Sequence, residues 1–233
     1  MNAEDYKEGQ LILIDKPLDW TSFQVVNKVR WLIKKQFQLK KIKVGHAGTL
    51  DPLASGLLIL CAGKFTKQID TYQAQVKEYT GTITLGGTTP SYDLETEIDQ
   101  TFDISGITSE EIIAATHQFT GDIQQQPPIF SALKKEGKRL YEFARAGETV
   151  DIPKRDITIS EFEITNITLP NVEFRVVCSK GTYIRSLAHD FGKALNNGAH
   201  LSALRRTKIG DFSVENAISI EAFEAKLTEE TAS

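Results

Sequence analysis

Short apolar runs along the chain alternate with stretches in which apolar positions recur at helical spacing. Residues 11–14 read as a short strand, closed by Asp15, Lys16 and Pro17. Ser22 then predicts a helix N-cap, with Phe23, Val26, Val29 and Ile33 spaced to form one apolar face. The continuous run Leu57, Leu58, Ile59, Leu60, Cys61, Ala62 predicts a buried strand, and residues 64–75 predict a helix. From 77 to 85, Lys77, Tyr79, Gly81, Ile83 and Leu85 alternate with Glu78, Thr80, Thr82 and Thr84, which is the period of a strand. Gly86 and Gly87 break it. Thr108 and Glu111 form a capping box that opens a helix running to Phe119. Residues 124–128 predict an irregular crossing into a polar, basic excursion over 134–147. Strands over 157–167 and 172–178, a turn at 179–182, a helix over 183–195 and a last strand at 209–212 complete the pattern. Strands and helices interleave without a strict βαβ rhythm. That predicts an α+β fold, a mixed and largely antiparallel sheet flanked by helices and loops. No repeat, low-complexity tract or linker divides the 233 residues, so one domain is expected over 1–233.

Composition narrows the class. With 40% hydrophobic and 25% charged residues the chain reads as an ordinary globular protein. No apolar run approaches the roughly 20 residues of a membrane helix, and the first residues lack the basic start and apolar centre of a signal peptide. Cys61 and Cys178 both lie in apolar, strand-like runs, which suggests reduced core thiols and a cytoplasmic home. The net charge of −4 argues against a nucleic-acid partner, but its distribution argues the other way. Between Trp20 and Leu50 there is no acid, while Lys28, Arg30, Lys34, Lys35, Lys40, Lys41 and Lys43 are basic. Lys134, Lys135, Lys138, Arg139 and Arg145 form a second basic cluster, and Arg205, Arg206 and Lys208 a third. Acids gather over 93–103, at Glu110 and Glu111, and after Glu215. Each cluster taken alone reads as a solvated face sooner than as a binding site. Phosphate contacts are expected from all three if folding brings them together.

The densest chemistry lies in Gly45-His46-Ala47-Gly48-Thr49-Leu50-Asp51-Pro52-Leu53-Ala54-Ser55-Gly56. A single carboxylate sits there in a turn of glycines and small residues. Pro52 fixes its own φ and pushes Asp51 toward an extended backbone, so the turn itself holds the carboxylate. The plain alternative is a surface turn with a capping Asp and an exposed His46. Other chemistries find less support. His117, His189, His200 and the cysteines lack metal-ligand spacing, so no metal site is expected. Gly63-Lys64-Phe65 lacks the upstream glycine and the Ser or Thr of a phosphate loop. No Gly-x-Ser-x-Gly elbow occurs, and a glycoside hydrolase would need a second carboxylate beside Asp51.

Those twelve ordered positions resemble the catalytic motif of the TruB family of tRNA pseudouridine synthases, with Asp51 at the place of the essential aspartate. Three further segments resemble the family in the same order: Lys77-Glu78-Tyr79-Thr80-Gly81, Cys178-Ser179-Lys180-Gly181-Thr182-Tyr183-Ile184-Arg185, and Gly198-Ala199-His200-Leu201-Ser202-Ala203-Leu204-Arg205-Arg206-Thr207. The resemblance runs from about Gly9 to Phe212. It implies a pseudouridine synthase fold and isomerisation of uridine 55 in the T loop of tRNA. The base is flipped out of its stack, and no cofactor is required. Tyr79 would then stack on the flipped base, Leu204 would wall its pocket, and His46 would occupy the vacated space. Arg185 would pair with Asp51, keeping it ionised and oriented, since a planar fork of donors suits two oxygens. Lys67 and Lys180 would lie along the substrate. Asp51 acts first, as nucleophile at the sugar or as base at its carbon 2′, and the residues leave both open. Residues 126–152 resemble a thumb insertion that grips the T arm. Many bacterial members carry a further RNA-binding PUA module after the catalytic domain. Only about twenty residues follow Phe212 here, so no such module is expected. Neither a membrane nor a protein partner is implied, and a monomer is expected. The rival reading is a non-catalytic RNA-binding protein on the same scaffold.

Overall fold

The computed structural model describes residues 2–131, 133–135, 137–148 and 150–229. Parts of the basic excursion (Ala132, Glu136, Thr149 and the Lys134 side chain) and the last four residues of the acidic tail lie outside the described set. Two compact units divide the chain, one built from residues up to 79 together with those from 205 onward, the other from 80–204.

The apolar run in the first third becomes the strand Ala54–Ala62, in which only Ser55 escapes burial. It pairs antiparallel with Gln10–Lys16, from Gln10 opposite Ala62 to Lys16 opposite Gly56, and with Val44–His46 at its far end. On one face, Leu58, Leu60 and Ala62 pack with Val25, Val26, Val29, Leu32 and Ile33 of helix Ser22–Gln36 and with Phe223 and Leu227 of helix Ile220–Glu229. On the other, Leu57 and Ile59 pack with Ala47 and Ile209. Burial on both faces is why the run is apolar without alternation.

The helix after Pro17 starts as expected but is capped differently. Thr21, not Ser22, is the N-cap, and its hydroxyl accepts from the Gln24 amide in a complete capping box. Phe23, expected in the apolar stripe, is 66% exposed, and Val25 and Leu32 complete the stripe instead. The region read as one helix over 64–75 is a tight 3₁₀ turn, Gly63–Gln68, followed by helix Ile69–Ala74.

In the second unit, the two expected strands are Arg155–Thr168 and Asn171–Cys178, and they pair antiparallel. The capping box at Thr108 opens helix Ser109–Ala115 as read. The crossing at 124–128 begins as an edge strand, Gly121–Gln125, paired with 155–159. Pro127 and Pro128 end it, since neither has an amide to continue the ladder. The expected strand at 209–212 is the tail of a much longer one, Ala199–Ile209, which turns at Gly210 (φ +52°) into Phe212–Ser213. Two charged residues in mid-strand hid it from its period. That strand and Lys77–Leu85 each run from one unit into the other. Helix Ala3–Glu8 was likewise not foreseen. Cys61 and Cys178 are free and buried, as expected, and burial pushes the Cys61 thiol up to about 11. Among the described residues no helix is long and apolar enough to cross a membrane.

Gly56 shows how tightly two strands of the first unit meet. It sits at φ +103°, and a Cβ there would lie 2.3 Å from the carbonyl oxygen of Arg206 and 2.8 Å from its nitrogen. Backbone cannot yield as a flexible side chain can. Gly56→Ala should therefore lower stability by about 2–4 kcal/mol, combining overpacking with left-handed strain. Urea unfolding checks this, and a midpoint equal to that of the parent would show that the strands part freely.

Candidate active site

Asp51 lies in the loop between two paired segments of the first unit, Val44–His46 and Ala54–Ala62. The loop's carbonyls are tied one after another. Arg206 donates from Nη2 to the Gly48 oxygen (3.1 Å) and from Nη1 to that of Thr49 (3.4 Å). The Ser22 hydroxyl donates to the Leu50 oxygen (3.1 Å) and accepts from the Leu50 amide (2.8 Å). The Asp51 oxygen accepts from the Ala54 amide (3.1 Å), and the Pro52 oxygen from the Asp19 amide (2.9 Å) and from Lys16 Nζ (3.4 Å). Every carbonyl from 48 to 52 thus has a protein donor. The loop is polar backbone made rigid, with one carboxylate carried on it.

Two cations lie buried against this loop. Lys16 is fully buried and also donates to the carbonyls of Pro17 (2.8 Å) and Trp20 (2.6 Å). Burial pushes its pKa down to about 8, and the charges of Asp51 and then Asp19 oppose the fall. Arg206 is 1% exposed. His46 is half-buried at the loop's entrance, with Nδ1 unpartnered among the described residues. Burial and then the Arg206 charge hold its imidazole below the usual value of 6.5, so the ring is neutral at pH 7. Tyr79, the expected stacking residue, is buried at the end of the first unit's share of strand Lys77–Leu85. Lys67 is exposed on the turn Gly63–Gln68.

The remaining expected residues belong to the second unit. Arg185 is in the first turn of helix Ile184–Ala194 and 5% exposed, so it is no surface arginine. Its Nε lies 3.6 Å from an Asp93 carboxylate oxygen, and Nη1 donates to the carbonyls of Phe130 (2.9 Å) and Ser91 (3.4 Å). Asp93 is buried and accepts from the Glu95 amide at 2.9 Å. The buried Gln125 side chain accepts from the Tyr183 amide (2.8 Å) and donates to the Tyr183 carbonyl (3.0 Å), which anchors the helix start. Leu204 is half-buried on its strand, and Lys180 is exposed in the turn before the helix. In the basic excursion Lys138 and Arg139 are exposed. The guanidinium groups of Arg139 and Arg145 lie 5.8 and 5.3 Å from the Tyr141 ring.

Several features were not legible in the chain. Lys16, Asp93 and Arg206 read only as members of a strand end, an acidic stretch and a basic doublet. One signal existed for Arg206: in a strand, neighbours point to opposite faces, so one of Arg205 and Arg206 had to turn inward. The doublet therefore does not serve as expected. Arg206 is buried and unavailable to phosphate, Arg205 makes a two-pronged pair with Asp15 (2.7 and 3.1 Å), and Lys208 lies 3.6 Å from Glu78. Lys28 likewise faces Glu224 at 3.5 Å.

Known proteins resemble this chain over most of its length. The model of the TruB family pseudouridylate synthase N-terminal domain matches residues 34–184, and that of the tRNA pseudouridylate synthase B C-terminal domain matches 185–233. A tRNA pseudouridine synthase B of Flavobacterium johnsoniae is 64% identical over 97% of this chain and 100% of its own. That of Phocaeicola vulgatus is 53% identical over 94% and 93%. Among solved structures, a chain of a Cbf5-Nop10-Gar1 complex superposes with a TM-score of 0.74 at 32% identity; it covers 100% of this chain, which spans 59% of that longer one.

The Lys16 charge provides a direct probe of the loop. Its Nζ resonance should titrate near pH 8 rather than 10.5, and Asp51→Asn should move that midpoint lower by removing the largest opposing charge. Between those values the unfolded chain binds a proton that the folded one has released. Stability from this group therefore rises with pH through that window and is lost as pH falls through about 8. An unmoved midpoint in Asp51→Asn would mean that the carboxylate points away from Lys16.

Proposed function

Because the chain belongs to the TruB family of pseudouridylate synthases, we propose that it isomerises uridine 55 in the T loop of tRNA, with Asp51 as the reacting carboxylate. The observation that carries this reading is the loop 48–52, whose carbonyls all meet protein donors while it presents one carboxylate. In the reaction the bond from ribose carbon 1′ to uracil N1 breaks, the base turns, carbon 5 bonds to carbon 1′ as its proton leaves, and N1 takes up a proton. Atoms and electrons balance within the nucleotide, so the chemistry needs no redox partner or transferred group. A base in a folded T loop must leave its stack before its glycosidic bond can be reached.

The roles are those that the family resemblance implies, and the chemistry of each residue suits it. Asp51 acts at the sugar, as nucleophile at carbon 1′ or base at carbon 2′. Arg185 orients Asp51, a task suited to a buried guanidinium whose planar fork engages carboxylate oxygens in fixed directions. Tyr79 stacks on the flipped uracil, for which an aromatic ring held in a strand supplies a rigid face. Leu204 closes the pocket with an apolar wall. His46 fills the space the base vacates, and its neutrality at pH 7 lets it enter the RNA stack without desolvating a charge. Lys67 and Lys180, both exposed, are suited to phosphate. The excursion around Lys138, Arg139 and Arg145 grips the T arm.

Asp51→Asn should abolish pseudouridine formation while the variant still folds and binds tRNA. Pseudouridine mapping on tRNA incubated with the purified protein provides the measurement. Turnover within about tenfold of the parent, roughly 1.4 kcal/mol in barrier, would remove Asp51 from the chemistry.

The grip on RNA is tested separately by salt. Each phosphate neutralised by Lys or Arg contributes about −0.7 to −0.9 to the slope of log affinity against log salt. Lys138→Glu with Arg139→Glu should weaken tRNA binding and flatten that slope by one to two such contacts. An unchanged slope would reduce the excursion to a solvated face.

A further inference from the structure

Arg206 presents a physical difficulty that the reaction described so far does not use. Its guanidinium is 1% exposed, and among the described residues no carboxylate lies within ion-pair distance of it. A buried cation without a counter-ion is strongly disfavoured, and an apolar side chain of similar volume would ordinarily be the more stable choice. What it has instead is a set of carbonyl oxygens. Nε donates to Leu57 (2.8 Å), while Nη1 and Nη2 donate to Thr49 and Gly48 (3.4 and 3.1 Å). Leu57 follows Asp51 in the chain and Gly48 and Thr49 precede it, so one rigid planar group holds both limbs of the loop.

The backbone beneath that group is equally constrained. At Gly56 the strand Ala54–Ala62 approaches the Arg206 main chain so closely that a Cβ would lie 2.3 Å from the Arg206 carbonyl oxygen. Gly48, at φ +101°, brings the loop to the other end of the same side chain, its missing Cβ 3.6 Å from Nη1. The root and the tip of Arg206 are thus both fixed against the segments that flank Asp51. We infer that Arg206 is a positioning residue for catalysis, a clamp that sets where the Asp51 loop holds its carboxylate. The lowered titration of His46 agrees with the placement of this charge. A lysine could not replace it: an ammonium offers its donors from one point, whereas the three carbonyls are met by three nitrogens of a plane.

This inference rests on the functional reading above, and its test separates the two. Arg206→Lys keeps the charge and loses the fork; Arg206→Gln keeps two donors and loses the charge. Urea unfolding identifies which variants fold, and Val29→Ala, in the core packed around helix Ser22–Gln36, serves as a destabilised control. Single-turnover pseudouridine formation at saturating tRNA should fall by about 100-fold in the folded Arg206 variants, the loss expected from a displacement of about 1 Å. Affinity for tRNA should stay within about threefold, as should the rate of the Val29→Ala control, so the loss falls on kcat and not on KM. A folded Arg206 variant within about threefold of the parental rate would overturn the inference, as would a control that loses as much. If the parent binds tRNA yet makes no pseudouridine, the functional reading fails instead. Amide exchange then still reads the clamp. The Leu50 amide should exchange faster in Arg206→Lys than in the parent while amides of Asn171–Cys178 do not change, and unaltered Leu50 exchange would overturn the clamp.

Discussion

A loop can carry a reactive carboxylate in a fixed place only if its own backbone has nowhere else to go. The loop 48–52 meets that condition by accounting for each of its carbonyls: two go to Arg206, one to the Ser22 hydroxyl, one to the Ala54 amide and one to Asp19 and Lys16. Buried carbonyls without donors cost about as much as a lost hydrogen bond each, so any alternative loop path that strands them is disfavoured. The rest of the first unit can be understood as support for these donors. Helix Ser22–Gln36 delivers Ser22 at its first residue, strand Gln10–Lys16 delivers Lys16 at its last, and strand Ala199–Ile209 delivers Arg206.

The same donors set the electrostatics. Lys16 and Arg206 place two buried cations against the loop that carries Asp51, in surroundings where burial disfavours charge. Lys16 responds with a pKa near 8, drawn upward by Asp51, and His46 with a neutral ring. A carboxylate proposed to react at a sugar carbon is well served by fixed positive charge that needs no rearrangement during the reaction.

Arg185 in the second unit faces the same physical problem and answers it differently. Its guanidinium has a carboxylate, Asp93, as well as two carbonyls, and its helix begins where Gln125 holds both backbone groups of Tyr183. Membership of the TruB family joins these features to one activity. The proposed roles, implied by that family, divide by kind: Asp51 for the bond, Tyr79, Leu204 and His46 for the base, exposed lysines and the basic excursion for phosphate.

Local periodicity and covalent constraint made much of this legible in the chain alone. The buried run 57–62, the alternation over 77–85, the capping box at Thr108 and the strands over 157–167 and 172–178 all appear where their patterns place them, because each is set by neighbours within a few residues. The Asp51 turn was legible for the same reason, through Gly48, Pro52 and Gly56. What the chain alone left open depends on distant contacts. Ser22 reads as a cap until Leu50, 28 residues on, takes its hydroxyl. Phe23 reads as core until Val25 and Leu32 fill the groove. Arg206 reads as one more basic residue until strand pairing buries it beneath a loop some 150 residues earlier. A side chain's type and spacing fix what it can bond; only the tertiary structure decides which of its possible partners reaches it, because that depends on which strands lie side by side and which face of each turns inward.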